Sequence, residues 1–368
     1  FLLIALFLRL YRISEYMTFL GDEGRDVRIL RDLLHGNLVF IGPQTSIGNM
    51  YLGPLYYYLV APALFLSRLD PVGPAVMIAL ISVLTIFLTY LIARSWFGVR
   101  VALLTLIFFA ISPVAIIYGR SSWNPNPMPF FTLLFIYSIY KAIIKKNFKY
   151  FLLSAISLAF ALQMHYLGLL LLPIALFWLV LLFRVIRKKQ NTLLDLRIYL
   201  IKSILVFSTL MSPLVLFDLK HNFTNLKAIS AFFSDRQTTI NLNPGRSDRF
   251  IPVVHQITSD LLLGQNEYLA PAVALILIFM FLSLPFKKSR SLPFWLLYSW
   301  IFFGVFGLSL YKQHVYAHYF GFLYPAIFIF ASLSIVTLLE SKLFYQLIGL
   351  FLLSSIIYYS INSSPILK

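Results

Sequence analysis

The stretch VGPAVMIALISVLTIFLTYLIA, residues 72 to 93, holds no charged side chain. It exceeds the roughly 20 helical residues needed to cross a hydrocarbon core about 30 Å thick. Comparable apolar runs recur at 101 to 118, 128 to 144, 150 to 164, 167 to 184, 199 to 217, 268 to 285, 292 to 310, 318 to 339 and 343 to 360. With 60% hydrophobic and 12% charged residues, so much apolar surface has no place in one soluble core. The fold class expected is an all-α polytopic membrane protein, read as a single domain over 1–368. A further run at 1 to 11 brings the expected transmembrane helices to about eleven. FLLIALFL is too short to cross by itself, so the first helix is expected to be truncated at its N-terminus.

The formal charge of +17 would suggest nucleic acid in a soluble protein. Here the cations sit in short loops: 94 to 100, 141 to 149, 184 to 202, 287 to 290 and 340 to 342 hold 16 of the 30 Lys and Arg, but only Asp195 and Glu340 among 13 acids. By the positive-inside rule these loops are cytoplasmic, and no nucleic-acid partner is expected. The other eleven acids fall on the opposite side, which is expected to be extracytoplasmic. The absence of cysteine excludes disulfides and thiolate chemistry.

Counting 53 to 68 as a span would break this charge bias. Its apolar stretch is short and carries Pro54 and Pro62. A re-entrant or interfacial helix is expected there, with a short tilted span as the alternative. The external pieces are then a first loop over 11–71, the loop 118 to 127, a polar excursion over 218–267 and the segment 311 to 318. The excursion reads either as a lid or acceptor cradle or as a solvated loop.

In TFLGDEGRDVRILRDLLHG, residues 18 to 36, Val27, Leu30 and Leu34 fall at i, i+3 and i+7, with Ile29 and Leu33 beside them. Asp22, Arg25, Asp26, Arg28, Arg31 and Asp32 fill the other face of this expected surface helix. Asp22 at its start is either an N-cap or a general base fixed at the membrane surface. In YGRSSWNPNPMPF, residues 118 to 130, Arg120 either snorkels or binds a lipid phosphate bidentately. Gln163, His165 and Tyr166 form a polar group at an external turn, and Lys312, His314, His318 and Tyr319 form a second. Ionisable groups at membrane depth point to a function, here phosphate binding, against the alternative of an interfacial Tyr and His belt. His314 and His318 stand at i, i+4 and could hold a divalent metal from one helix face, a weak signal without HExxH. No GxGxxG after a strand and no GxxxxGK[ST] occurs, so no nucleotide donor is supported.

LRLYRISEY, FLGDEGRD, GPLYYYLVAP, ISPVAIIYGRSSWNPNPMPFF and the late HYFGFLYPA, in this order, resemble the GT-C membrane glycosyltransferases. The similarity is to the aminoarabinose transferase and protein O-mannosyltransferase type. It covers residues 1 to about 190 well and is looser beyond. The resemblance implies sugar transfer from a polyprenyl-phosphate-linked donor to a hydroxyl of a lipid, glycan or protein acceptor, with inversion at the anomeric carbon. It places the site on the extracytoplasmic face of a bacterial or archaeal cell membrane. The family's catalytic aspartate falls on Asp22, with Glu23 as its acidic neighbour, and its surface-dipping helix falls on Pro54 to Leu66. Arg120 matches the arginine after the third spanning region, whereas Asn124 and Asn126 stand where relatives often carry an aspartate.

The expected division of labour follows. Asp22 and Glu23 are catalytic; Arg120, His165, Tyr166, Lys312, His318 and Tyr319 hold the donor phosphate; Arg25, Tyr56, Asn124 and Asn126 position the acceptor or the loops. The metal ligands are undefined, and a divalent ion is the single candidate cofactor. The alternatives are a lipid-linked glycan flippase, against which no inverted repeat is seen, and a polymerase or ligase using lipid diphosphates.

Overall fold

The computed structural model of the chain describes residues 1–45, 50–234, 249–287 and 291–367. The described residues form seventeen α-helices: α1 (Leu2–Leu10), α2 (Ile13–Tyr16), α3 (Gly21–Leu34), α4 (Leu55–Leu66), α5 (Val72–Phe97), α6 (Val99–Ile111), α7 (Pro113–Tyr118), α8 (Met128–Lys145), α9 (Tyr150–Met164), α10 (Leu171–Ile186), α11 (Gln190–Lys220), α12 (Thr224–Ser234), α13 (Phe250–Leu262), α14 (Ala270–Lys287), α15 (Leu292–Ser309), α16 (Tyr324–Leu339) and α17 (Leu343–Asn362). Tight 3-10 turns, Tyr166–Leu170 and Ala317–Leu323, lead into α10 and α16. An isolated β bridge joins Gln44 and Tyr51.

The expected all-α polytopic architecture is present. Among the described residues seven stretches are long and apolar enough to cross a membrane: α5, α8, α10 with its turn, α11, α15, α16 with its turn, and α17. α4, α6, α9 and α14 are shorter apolar helices. α16 is the centre of the bundle, buried at every position from Tyr324 to Leu338. An all-round apolar sequence suits a helix surrounded by other helices. By contrast α11 buries only Leu196 and Ser203 and lies at the periphery.

The expected continuous span at 101 to 118 is broken into α6 and α7. Pro113 has no N–H to offer the carbonyl of Phe109, and it biases Ser112 towards extended backbone (φ −59°, ψ 120°). Arg9, fully buried on α1, fills the gap. Its Nη2 donates to the Phe109 carbonyl at 3.3 Å, its Nη1 to Ala110 at 3.2 Å and its Nε to Ser82 Oγ at 2.8 Å. One arginine thus replaces the donor that the proline removed from Phe109 and serves the Ala110 carbonyl beside it.

α4 is tied in at its first turn. Gln163 at the end of α9 accepts from the Leu55 N–H at 3.1 Å and donates to the Leu210 carbonyl of α11 at 2.9 Å. Gly53 makes room for it, since a Cβ there would stand 2.1 Å from Gln163 Oε1. At the other end of α4, Ala63 packs against Gly73 in the first turn of α5. At 12 residues α4 spans about 18 Å, short of a full crossing.

Within the polar excursion 218–267 the described residues include two helices, α12 and α13; Pro244 and Gly245 lie outside the described residues. Asp218 begins it by accepting the N–H groups of Asn225 at 2.6 Å and Leu226 at 3.1 Å, and Asn225 in turn accepts from the Tyr51 N–H at 2.7 Å. The excursion is thereby fastened to the segment that precedes α4.

Candidate functional site

α3 carries the acidic motif. Its capping is done by Glu23, whose Oε2 accepts the Leu20 N–H at 2.9 Å, and not by Asp22. Glu23 is 4% exposed, whereas the Asp22 side chain is 51% exposed. Asp22 keeps its carboxylate at the helix start and pairs with Arg25, Oδ1 to Nη1 at 2.8 Å.

Arg25 is itself held from below. Its Nε and Nη2 donate to Asp26 Oδ1 at 3.0 and 2.8 Å, and the Tyr57 hydroxyl of α4 donates to the same oxygen at 3.0 Å. Asp26 is 2% exposed, with Oδ2 buried and unpartnered. Burial pushes its carboxyl up to about 6, against the pull of Arg25 and Tyr57. This corrects the expectation that Asp26 lies on the solvated face of α3: Glu23, Asp26, Val27 and Leu30 form its buried face at i, i+3, i+4 and i+7. Asp26 and Tyr57 were missed as site residues because charged residues are expected on the wet side. The spacing from Glu23 and the second tyrosine of PLYYY were the available signals.

The loop between α7 and α8 joins α3 to the other groups. Ser121 Oγ accepts from the Thr18 N–H at 3.0 Å, and the Tyr56 hydroxyl donates to the Ser122 carbonyl. Arg120 is 3% exposed and stacks under the Tyr16 ring at 5.1 Å. Its Nε and Nη1 are buried without a hydrogen-bond partner, and burial depresses the guanidinium below its ordinary value. Asn124 and Asn126 tie the loop itself, donating to the Met164 carbonyl and the Ser121 carbonyl, each at 2.7 Å.

Beyond Asn124 the same loop meets the two polar groups, which the fold brings together. The Trp123 ring lies 4.5 Å from that of His318, and His318 lies 5.8 Å from His165 and 4.6 Å from Tyr319. His165 stacks on Tyr166 at 4.5 Å. Burial and the neighbouring His318 push His165 down to about 3, so it is neutral at physiological pH. Its Nδ1 accepts the Leu167 N–H at 3.2 Å, which leaves the ring hydrogen on Nε2 as a donor. Phe232 of α12 covers the group, 6.4 Å from both Tyr166 and Tyr311.

Lys312 lies half-buried in the irregular segment before the Ala317–Leu323 turn. His314 lies in that irregular segment and His318 in the turn, so they do not share an α-helix face; the i, i+4 metal pair expected there is not formed. Among the described residues no three His, Asp or Glu side chains come together as a metal ligand set.

Asp260 on α13 is a second buried acid that sequence reasoning passed over. It is 7% exposed, accepts a long bond from Gln256 at 3.5 Å, and is pushed by burial up to about 6.

The sequence profile of the dolichyl-phosphate-mannose-protein mannosyltransferase family matches residues 53–216. No curated protein matches the chain by sequence. Among solved structures, the Archaeoglobus fulgidus oligosaccharyltransferase in complex with Zn and sulfate superposes with a TM-score of 0.60 at 16% identity, over 98% of this chain and 51% of that one. ArnT from Cupriavidus metallidurans bound to undecaprenyl phosphate gives 0.58 at 15% identity, over 98% and 69%. The A. fulgidus oligosaccharyltransferase AglB with an inhibitory peptide and a dolichol-phosphate gives 0.58 at 16%, over 98% and 54%. The chain spans about half the length of the two oligosaccharyltransferase structures and about two thirds of ArnT. The expected likeness to GT-C membrane glycosyltransferases is thus found both in sequence, over 53–216, and in the fold of nearly the whole chain.

Proposed function

We propose that the chain transfers a sugar from a polyprenyl-phosphate-linked donor to an acceptor hydroxyl on the extracytoplasmic face of a cell membrane, inverting the anomeric carbon. The observation that carries this reading is Arg120. A buried guanidinium with two orphaned N–H groups and no carboxylate partner is costly unless an anion completes it. A lipid phosphate arriving at the end of α7 is that anion. The family profile and the structures of ArnT with undecaprenyl phosphate and AglB with dolichol-phosphate support the donor class.

In this reading Asp22 removes the proton from the acceptor hydroxyl as its oxygen attacks the anomeric carbon. The bond between that carbon and the phosphate oxygen breaks, and its electrons leave with the phosphate, which becomes a dianion. Arg120 and the Nε2–H of His165 stabilise the charge that grows there, as donors do in an oxyanion hole. Tyr166, His318, Tyr319 and Lys312 complete the donor side, and Arg25 fixes the carboxylate of Asp22. The capping bond of Glu23 gives it a positioning role. No step is assigned to a metal.

The test is release of free polyprenyl phosphate from a panel of polyprenyl-phosphate sugars by the purified protein. Asp22→Asn is expected to fold, bind donor as before and lose about 10² to 10⁴ in kcat. An Asp22→Asn protein with full turnover sinks the assignment of the base. Release from no donor, with glycolipid movement across liposomes instead, sinks the transferase.

A further inference from the structure

An apolar cavity of about 280 Å³, lined by none of these groups, lies between α8, α9, α10 and α11. It runs from Leu172 and Phe135 to Ile143, Phe151, Leu182 and Leu200, at the ends of these helices where the basic loops emerge. Its three polar groups are satisfied elsewhere. Ser154 bonds to Ser138 at 3.1 Å, Ser203 donates to the Tyr199 carbonyl at 2.7 Å, and Trp178 donates to Ser299 at 2.9 Å. With nothing to hold water, such a space takes hydrocarbon. Its wall is open between α10 and α11, where Leu172 is 41% and Ile204 63% exposed.

The mouth at the basic end has a composition of its own. Between residues 141 and 202 the chain carries ten Lys and Arg against one acid, Asp195. They cluster on the α8–α9 turn and the α10–α11 turn, which a small apolar cluster of Phe148, Phe151, Leu182, Ile186 and Leu196 packs together. Lys145, Lys149 and Arg187 are exposed, and among the described residues none of them forms an ion pair. Topology signalling requires positive loops, but not that they ring an apolar slot opening to the side.

We infer that this slot and its basic rim form a site for an anionic phospholipid, with an acyl chain between α10 and α11 and the headgroup phosphate among the lysines and arginines of the two turns. Basic pockets between membrane helices recognise anionic headgroups by this combination of charge and apolar depth.

The experiment uses the full chain in vesicles of equal phosphatidylglycerol and phosphatidylcholine with matched acyl chains. Lipid retained after transfer to mild detergent is counted by native mass spectrometry. Phosphatidylglycerol is expected to be enriched about tenfold over phosphatidylcholine. Replacing Lys145, Lys149 and Arg187 by Gln should abolish the enrichment. Ala155→Leu, which narrows the cavity and leaves every charge in place, should abolish retention of the lipid itself; Ala175→Leu narrows it from α10 should α9 not tolerate the change. Equal retention of the two lipids in the parent chain overturns the site. So does an enrichment that survives the charge variant. Enrichment unchanged by both narrowing variants means adsorption to charged loops alone, and also overturns it.

Discussion

Replacing Asp26 by Asn should leave the protein at least as stable near neutral pH while crippling its turnover. The carboxyl titrates near 6 instead of its ordinary 3.8. That rise of about two units means the site disfavours the ionised form by about 3 kcal/mol, even with Arg25 and Tyr57 bonded to it. For an acid raised in the folded state, the stabilisation is fully present below about pH 4 and is lost as pH rises through about 6. Asn, neutral throughout, does not pay this penalty. Melting in detergent should therefore show the parent losing stability between pH 4 and pH 6 and Asp26→Asn losing about 3 kcal/mol less. Catalysis should move the other way. Ionised Asp26 occupies Nε and Nη2 of Arg25 and leaves only Nη1 to Asp22. Without that anchor Arg25 turns wholly to Asp22 and draws the base away from its proton, a loss of about tenfold for one misdirected charge-assisted bond. In polyprenyl phosphate release assays the parent rate should fall in acid with an apparent midpoint near 6, and Asp26→Asn should be slow at every pH without that limb. An Asp26→Asn profile that keeps the parent's acid limb refutes the anchor.

Asp260→Asn should remove its own share of the pH-dependent stability between 4 and 6, because that carboxyl is also raised to about 6, yet leave the acid limb of the rate untouched; movement of the limb would assign it to the wrong acid. Arg9→Leu should lower the melting temperature by several degrees, since the carbonyls of Phe109 and Ala110 lose their donors at about 1 to 3 kcal/mol each; an unchanged melting point would mean that the break between α6 and α7 needs no donor. Gly53→Ala should destabilise by driving Gln163 off the Leu55 N–H. Combined with Gln163→Ala it should cost far less than the two single changes summed, and simple additivity of melting shifts would show that the two residues do not meet.

The spans were readable because a bilayer demands one thing of a sequence, an apolar stretch of sufficient length. The two polar groups around His165 and His318 were readable as polar groups for the same reason: each is an exception to that demand. What the apolar pattern carries poorly is a break inside a run. Residues 101 to 118 read as one helix, and the clue that they are two lies partly in Pro113 and partly in Arg9, more than a hundred residues earlier.

The acidic motif shows a deeper limit. Periodicity assigns a residue to a face, and hydrophobicity then decides which face is inside. Asp26 defeats the second step, because Arg25 beside it and Tyr57 on another helix supply three donors to one oxygen. Charge is expected outside only while it lacks partners, and partners from distant helices are invisible in a local pattern. Asp22, Glu23 and Asp26 are three acids within five residues of one helix with three different situations: exposed beside an arginine, folded back onto its own helix start, and buried under that arginine. The proposed chemistry depends on this separation. A base that must meet an acceptor hydroxyl has to stay accessible. Holding it in place through Arg25 requires a second carboxylate that never touches the substrate.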